Sequence, residues 1–215
     1  MQSADTTSVA EYMRQPAVRD NLYFLRNDCA KKLENLAPHT SLLDVGCGSG
    51  SYAQILKQSD SPFADMNYTG TEINKKLVDI CIKHNPTVSF IVAQASRIPL
   101  SDSSYDTVFC SGTVHYTLST WAESISEMAR VAKQYLIITR LPVTKYQDSF
   151  YVHQTVSSKR RSEHHFFIVI NRTKLEELFT RLHLKILQRD YSSEEYNIDH
   201  IDEKIVLVQY LLAKQ

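Results

Sequence analysis

The chemistry of this chain gathers at its glycines. There are five in 215 residues, and three stand at alternate positions in Leu42-Leu43-Asp44-Val45-Gly46-Cys47-Gly48-Ser49-Gly50-Ser51-Tyr52. An apolar run stops there in a tight turn, and a helical pattern starts directly after it. Glycine reaches positive φ and carries no Cβ, so a ligand can come close to such a backbone. A helix starting at the turn adds free N–H groups and a positive dipole end. The turn 46–50 therefore reads as one wall of a nucleotide-type site.

Three more features fall at matching places. Glu72 ends the next apolar run, 24 positions beyond Gly48. A carboxylate at about that distance can accept from both hydroxyls of a ribose. Gln94-Ala95-Ser96 follows a third run, and Ser111-Gly112-Thr113 follows a fourth, with His115 and Tyr116 just after. The remaining glycines, Gly70 and Gly112, lie at the same ends.

The elements that must hold these residues alternate. Apolar residues at helical spacing over 12–36 predict one or two helices, ended by Pro38. If they form a lid, Tyr12, Arg19 or Tyr23 would turn inward. Strands are predicted at 41–45, 67–72, 88–92, 106–110 and 135–139, with helices at 51–58, 73–84 and 120–132. Such alternation builds right-handed βαβ units and a parallel sheet covered on both faces. The near-continuous apolar character of the strands agrees with that. Ligands then bind at the carboxyl ends of the strands, where the four features fall. Beyond Pro142 the pattern breaks. Residues 143–163 read as a long functional segment without clear structure. A helix at 172–182 and two closing strands at 185–189 and 204–213, an antiparallel hairpin, complete the chain.

The spacing G-x-G-x-G, with Ser51 where a dinucleotide site would place its third glycine, argues against a nicotinamide cofactor. The chain here resembles the class I S-adenosylmethionine-dependent methyltransferases, in their small-molecule, type 11/25-like branch. The matching residues are L-L-D-V-G-C-G-S-G (42–50), Glu72, A-Q-A-S-R-I-P-L-S-D-S-S-Y-D-T-V (93–108) and S-G-T-V-H-Y (111–116). The resemblance spans about 40–140. It implies an α/β, Rossmann-like, doubly wound seven-stranded sheet, mostly parallel, with an antiparallel C-terminal hairpin and an N-terminal helical cap. One domain would cover 1–215, with the cap at 1–38 and a substrate-side insertion at 143–165.

The resemblance also implies roles. Asp44 and the backbone of Gly46, Cys47, Gly48 and Gly50 would hold the methionine part of S-adenosylmethionine. Glu72 would hold the ribose, Ile73 would pack on the adenine, and Ala95 would offer its backbone N–H to the ring. Gln94 stands where the family usually has an acid, and its amide oxygen could still accept from the adenine amino group. Ser111 would line the methyl-transfer mouth. For a small-molecule O or N acceptor, His115 is the first candidate base and His153 the second, since histidine titrates near neutrality. Two alternatives are a fold member that binds the cofactor without transferring, and an NAD-dependent oxidoreductase.

Composition sets the outer bounds. Acids and bases balance at 24 each, and the basic run 159–161 is short, so no nucleic-acid partner is expected. No apolar run is long enough to span a membrane, and residues 1–7 are too polar for a signal peptide. The four cysteines form no C-x-x-C pair, and His164-His165 lack ligand-spaced partners, so no metal is expected. Reduced thiols and the lack of a leader point to the cytoplasm. The sequence is silent on oligomeric state.

Overall fold

The computed structural model describes residues 16–33, 41–57, 61, 63–157, 162–196, 198 and 200–215. The expectations for Tyr12, Pro38 and the basic run 159–161 lie outside these residues. The first helical segment begins as α1 (Pro16–Tyr23), widens into a π-helical stretch at Phe24–Cys29 and ends in α2 (Ala30–Leu33). Val18, Leu22, Leu25, Cys29 and Leu33 recur on one face, and all are buried. Arg19 and Tyr23 sit one position off that face. Both are exposed, Tyr23 by 62%, so neither turns inward as the lid reading required. Asn21, between them, is the polar residue that goes in, with no exposed surface.

The sheet follows in the expected order. β1 (Ser41–Val45), α3 (Ser51–Ile55), β2 (Asn67–Glu72), α4 (Lys75–His84), β3 (Ser89–Val92), β4 (Tyr105–Ser111), α5 (Trp121–Val131) and β5 (Ala132–Thr144) alternate, with a 3-10 segment (Val114–Thr120) before α5. The five strands are parallel in the order β3-β2-β1-β4-β5. Beyond β5 come β6 (Phe150–Ser157), β7 (Ser162–Asn171), α6 (Arg172–Arg181), β8 (Leu184–Tyr196) and β9 (Ile205–Lys214). β9 runs antiparallel to β5, and β8 antiparallel to β9. Of the nine strands in the sheet, seven form the path β3-β2-β1-β4-β5-β9-β8, closed by the antiparallel hairpin that the sequence predicts.

Strand alternation sends each face to a different core. Leu43, Val45, Val108, Leu136 and Ile138 pack with Ile125 and Met128 of α5 and Leu175 and Phe179 of α6. Leu42, Phe109 and Ile137 pack on the other face with the N-terminal helices and with Tyr52 and Ile55 of α3.

Two differences from the sequence reading have plain causes. The described residues of the 143–163 stretch are not structureless. β5 runs on to Thr144, and β6 and β7 form an antiparallel hairpin joined to β5 only at Val143 and Thr144. Its inward residues Val152, Phe167 and Val169 make a small third core with Ile205. The second difference is at the start of α4. The Asn74 side chain accepts from Lys76 N, so the helix begins at Lys75 and leaves Ile73 outside it.

The N-terminal helix is fastened to β8 by one carboxylate. Ser192 Oγ, Ser193 N and Ser193 Oγ donate to Asp20 Oδ2 at 2.6, 2.7 and 2.7 Å. Removing this acceptor leaves three donors to find water. Asp20→Ala should cost about 2 kcal/mol, or a drop in Tm of about 4–8 °C for a chain of this size, readable by thermal denaturation.

Candidate functional site

A cavity of about 340 Å³ opens at the carboxyl ends of the parallel strands. Gly46, Glu72, Ile73, Gln94, Ala95 and Thr113 are in its wall, so residues from four separate loops converge there. The loops are held by their own backbone. Gly46 N and Cys47 N both donate to Thr71 O, at 2.8 and 2.9 Å, which ties the glycine turn to β2. Ala93 N donates to Glu72 O at 3.0 Å and ties β2 to the loop after β3.

Glycine is needed at 46 on two counts. Its φ is +78°, and an added Cβ would stand 2.2 Å from Thr113 Oγ1. Gly48 is different: φ is +57° and nothing lies within 4 Å of where its Cβ would be. The turn is thus packed against β4 at one glycine and open at the next. Gly48 N donates to Glu72 Oε2 at 3.1 Å, and Asn74 N to Oε1 at 3.0 Å. Each Glu72 oxygen keeps a further lone pair for a ligand. Ile73, left outside α4, is 62% exposed in the cavity wall. A large apolar side chain bared in a cavity suits a flat ring.

The loop that carries Gln94, Ala95 and Ser96 is held from behind by α5. Ile98 N donates to Glu127 Oε2 at 2.9 Å. The Arg130 guanidinium donates to Leu100 O and Ile98 O at 2.8 and 2.9 Å, and to Asp102 Oδ1 at 2.7 Å. Asp106 is a strand-start residue, as its position suggests: its Oδ2 accepts from Ser41 N and Ser41 Oγ.

Other predicted site residues stand elsewhere. Asp44 does not face the cavity. It is 1% exposed, and Tyr68 donates its hydroxyl to Oδ2. Burial, with the Glu72 charge adding to it, pushes the Asp44 carboxyl up to about 7 against the pull of the Tyr68 hydrogen bond. Cys47 is buried, its sulfur against Gly70, and its thiol is pushed up by contact with Cys81 and by burial. Gly50, at φ +82°, caps α3. Ser111 sits beneath Asn21, whose Nδ2 donates to Ser111 Oγ at 3.0 Å and also to the Tyr52 hydroxyl.

Neither histidine fits the role of a base. His115 lines a second cavity, but burial and then the Arg140 and His165 charges push it down to about 3. A base that weak takes a proton from a hydroxyl poorly. His153 is exposed on the outer face of β6, against His164 and Phe166. Strand parity sends its neighbour Gln154 to the second cavity instead.

Two contributors escape the motif reading. Asn21 Oδ1 is buried beside Ser111 with no hydrogen-bond partner among the described residues. Arg140 lines the second cavity. Each had a faint signal in the sequence: a polar residue on an apolar helical face, and a charge inside an apolar run. Among the described residues no cluster of His, Cys, Asp and Glu could hold a metal, and no helix is long and apolar enough to cross a membrane.

The first cavity can take an adenosine-type ligand: a carboxylate with lone pairs to spare, a bared apolar side chain and an open glycine turn. The orphaned Asn21 oxygen is buried beside Ser111, outside the lining of this cavity. Residues 43–138 match the family described as "Methyltransferase domain". The fold resembles that of an S-adenosylmethionine-dependent methyltransferase from Methanosarcina mazei, at 19% identity and TM-score 0.63, over 86% of this chain and 96% of that one. It also resembles one from Clostridium acetobutylicum, at 12% identity and TM-score 0.64, over 94% and 96%. Magnesium protoporphyrin IX methyltransferase from Synechocystis, solved with S-adenosylmethionine bound, is similar at 16% identity and TM-score 0.59, over 100% and 87%. No curated protein matches the sequence.

Asp44 makes stability depend on pH in a definite direction. Its folded pKa is raised, so its contribution is full below about 4, the unfolded value, and is lost as pH rises through about 7. His115, pushed down, acts oppositely: its contribution is present above about 6.5 and is lost as pH falls toward about 3. The two slopes oppose each other, so the difference between variants is the cleaner readout. From pH 5 to pH 8 the stability of Asp44→Asn relative to the parent chain should rise by about 2 kcal/mol, measured by urea unfolding.

Proposed function

We propose that this chain, which has the fold of the class I S-adenosylmethionine-dependent methyltransferases and matches a methyltransferase-domain family over residues 43–138, binds S-adenosylmethionine and methylates a small molecule. One observation carries the reading. Gly46, Glu72, Ile73, Gln94, Ala95 and Thr113, taken from four loops, wall one cavity in the order in which the cofactor's parts would need them.

The geometry supports the following roles. Glu72 accepts from the ribose hydroxyls, and its bonds to Gly48 N and Asn74 N fix its rotamer. Ile73 covers one face of the adenine. Gln94 and the Ala95 N–H meet the ring edge. When bound, the cofactor supplies a methyl group already activated on a sulfonium. The protein is left to align the acceptor and exclude water. The N-terminal helix, fastened to β8 through Asp20, excludes water on the Asn21 side. The acceptor is an oxygen or nitrogen nucleophile that needs no strong base, in keeping with the weak His115.

Calorimetry separates this from the alternatives. The chain should bind S-adenosylmethionine, bind S-adenosylhomocysteine in the same site, and give no heat with NAD. Glu72→Ala should weaken S-adenosylmethionine by tenfold or more, the worth of a charge-assisted bond pair at about 1.5–3 kcal/mol. Undiminished binding by that variant would remove the ribose assignment. Heat with NAD alone would remove the methyltransferase reading.

A further inference from the structure

A second cavity, of about 290 Å³, lies between the 3-10 segment after β4 and the inward face of the β6–β7 hairpin, and Tyr116 stands in the wall of both cavities. A cavity of about 150 Å³ is enough to hold benzene, so this one has room for a fused pair of rings. Its wall is itself built of rings. His115 and Tyr116 come from the 3-10 segment, and His165 and Phe167 from β7. The Phe167 ring meets the other segment edge-to-face, at 5.8 Å and 84° to His115 and at 6.5 Å and 72° to Tyr116, between centroids. A hydrogen bond between Tyr116 Oη and His165 Nδ1, at 3.2 Å, joins the two elements. Arg140 also stands in the wall, carried there by a bulge. β5 pairs with β9 at Ile138↔Tyr210 and resumes at Leu141↔Val208, one residue longer than its partner, and Arg140 takes φ 56° within it. Arg140 has interactions of its own within the protein.

The polar feature of this wall is Gln154. Pairing across the hairpin sets Gln154 opposite His165, and Val152 opposite Phe167. Strand alternation puts these four on one inward face, where Val152 and Phe167 are buried. Gln154 is thus a half-buried primary amide in an apolar and aromatic row, and its side chain has no hydrogen bond among the described residues. His115 Nδ1 also lacks a partner among them, but protein covers that atom. An amide offers a donor and an acceptor side by side. Between ring faces, its mate is a flat edge that carries an acceptor and a donor in the matching order.

We propose that this cavity receives the methyl acceptor, and that the acceptor is a flat nitrogen heterocycle whose donor–acceptor edge, a lactam or an amino group beside a ring nitrogen, pairs with the Gln154 amide. The inference rests on the first cavity being the methyl-donor site. The Tyr116 and Phe167 rings take the flat body by stacking or edge contact, and the amide fixes its rotation in the slot. Tyr116, common to both walls, sets such a ring next to the donor. A ring nitrogen or lactam oxygen attacks with a lone pair it already holds. It bonds to the methyl carbon as the carbon–sulfur bond breaks, the electron pair of that bond stays on the sulfur of S-adenosylhomocysteine, and a displaced proton passes to water.

The test uses 2-quinolone, its N-methyl derivative, which has lost the edge donor, and 2-aminoquinoline. Affinities are measured at neutral pH by ligand-observed NMR and calorimetry on the whole chain, with S-adenosylhomocysteine saturating so that the first cavity is filled. 2-Quinolone should bind at least about fivefold tighter than N-methyl-2-quinolone, as a two-bond amide pair discriminates. Gln154→Leu should abolish that preference. Gln154→Glu, which only accepts, should reverse the ranking, so that 2-aminoquinoline, with two donors once protonated, overtakes 2-quinolone. With S-adenosylmethionine in place of the homocysteine, interligand NOEs should join the quinolone ring protons to the S-methyl group. The comparison on the parent chain stands even where a variant fails to fold. The proposal is overturned by no binding or no preference for 2-quinolone, by a preference that survives in Gln154→Leu, by displacement of 2-quinolone by S-adenosylhomocysteine, or by two bound ligands without an NOE between them. If S-adenosylmethionine binds and the quinolone preference is absent, this inference alone fails. If S-adenosylmethionine does not bind, the donor reading fails and takes the acceptor role with it.

Discussion

Everything at the carboxyl edge depends on how closely the turn after β1 approaches the loop after β4. The distance at Gly46 leaves no room for a Cβ, because the Thr113 side chain occupies that space. Thr113 Oγ1 also donates to Gly46 O at 3.3 Å. This contact sets where the glycine turn lies against the loop after β4. It also leaves Gly48 with nothing beside it. Any side chain at 46 must push the two loops apart, and the four-loop cavity widens with them. Glu72 makes the same junction from the third side by accepting from Gly48 N. A carboxylate that organises the backbone in this way enters the ligand's arrival already oriented, so little rotamer entropy is left to lose on binding.

The buried titratable groups show the opposing demands on such a site. Asp44 lies in the centre of the sheet with Tyr68 as its hydrogen-bond donor, yet burial still holds its carboxyl near 7. Its worth for folding alone is therefore small or negative at neutral pH. A cation bound next to the glycine turn would favour the ionised form through the field. The fold thus holds in reserve a charge that a positively charged ligand can call out. His115 is the counterpart: kept neutral by burial and by Arg140, it adds no second positive charge to the cavity that Arg140 lines.

How much of this the sequence reveals divides along a physical line. β1, β4, β5 and β9 are legible because burial on both faces writes apolar runs, and α5 and α6 because burial of one face writes a helical period. The donor side is legible for a related reason. Backbone geometry there demands glycine, and only five glycines exist to satisfy it. The acceptor side is built by side chains that meet only in three dimensions. The β6–β7 hairpin hides because one of its faces stays in solvent, with Tyr151 53% and Phe166 50% exposed. Over β6 the apolar residues then follow neither a clean run nor a clean alternation, whereas β7 carries the run Phe166-Phe167-Ile168-Val169-Ile170. His153 looked attractive by residue type, but parity along β6 gives its inward place to Gln154. Asn21 could be noticed in the sequence but not placed, since its partners Ser111 and Tyr52 lie far along the chain.

Arg140 is the sharpest case of what pattern cannot show. A strand that alternated regularly through 140 would send the residue's side chain to one face and keep its pairing with β9. The observed bulge gives up that regularity. It also holds a β-carbon residue in the left-handed region, at about 1–2 kcal/mol. Packing alone supplies no return for this, because β5 and β9 pair without interruption on both sides of it. What the bulge does is place the guanidinium against Gly112, in the wall of the second cavity. Strained backbone persists where the surroundings over-determine it, and such places cluster at ligand sites. On this view the two cavities are made by two different devices. The glycine turn removes side chains so that a ligand can meet the backbone, and the β5 bulge bends backbone so that the Arg140 side chain enters the wall of the second cavity.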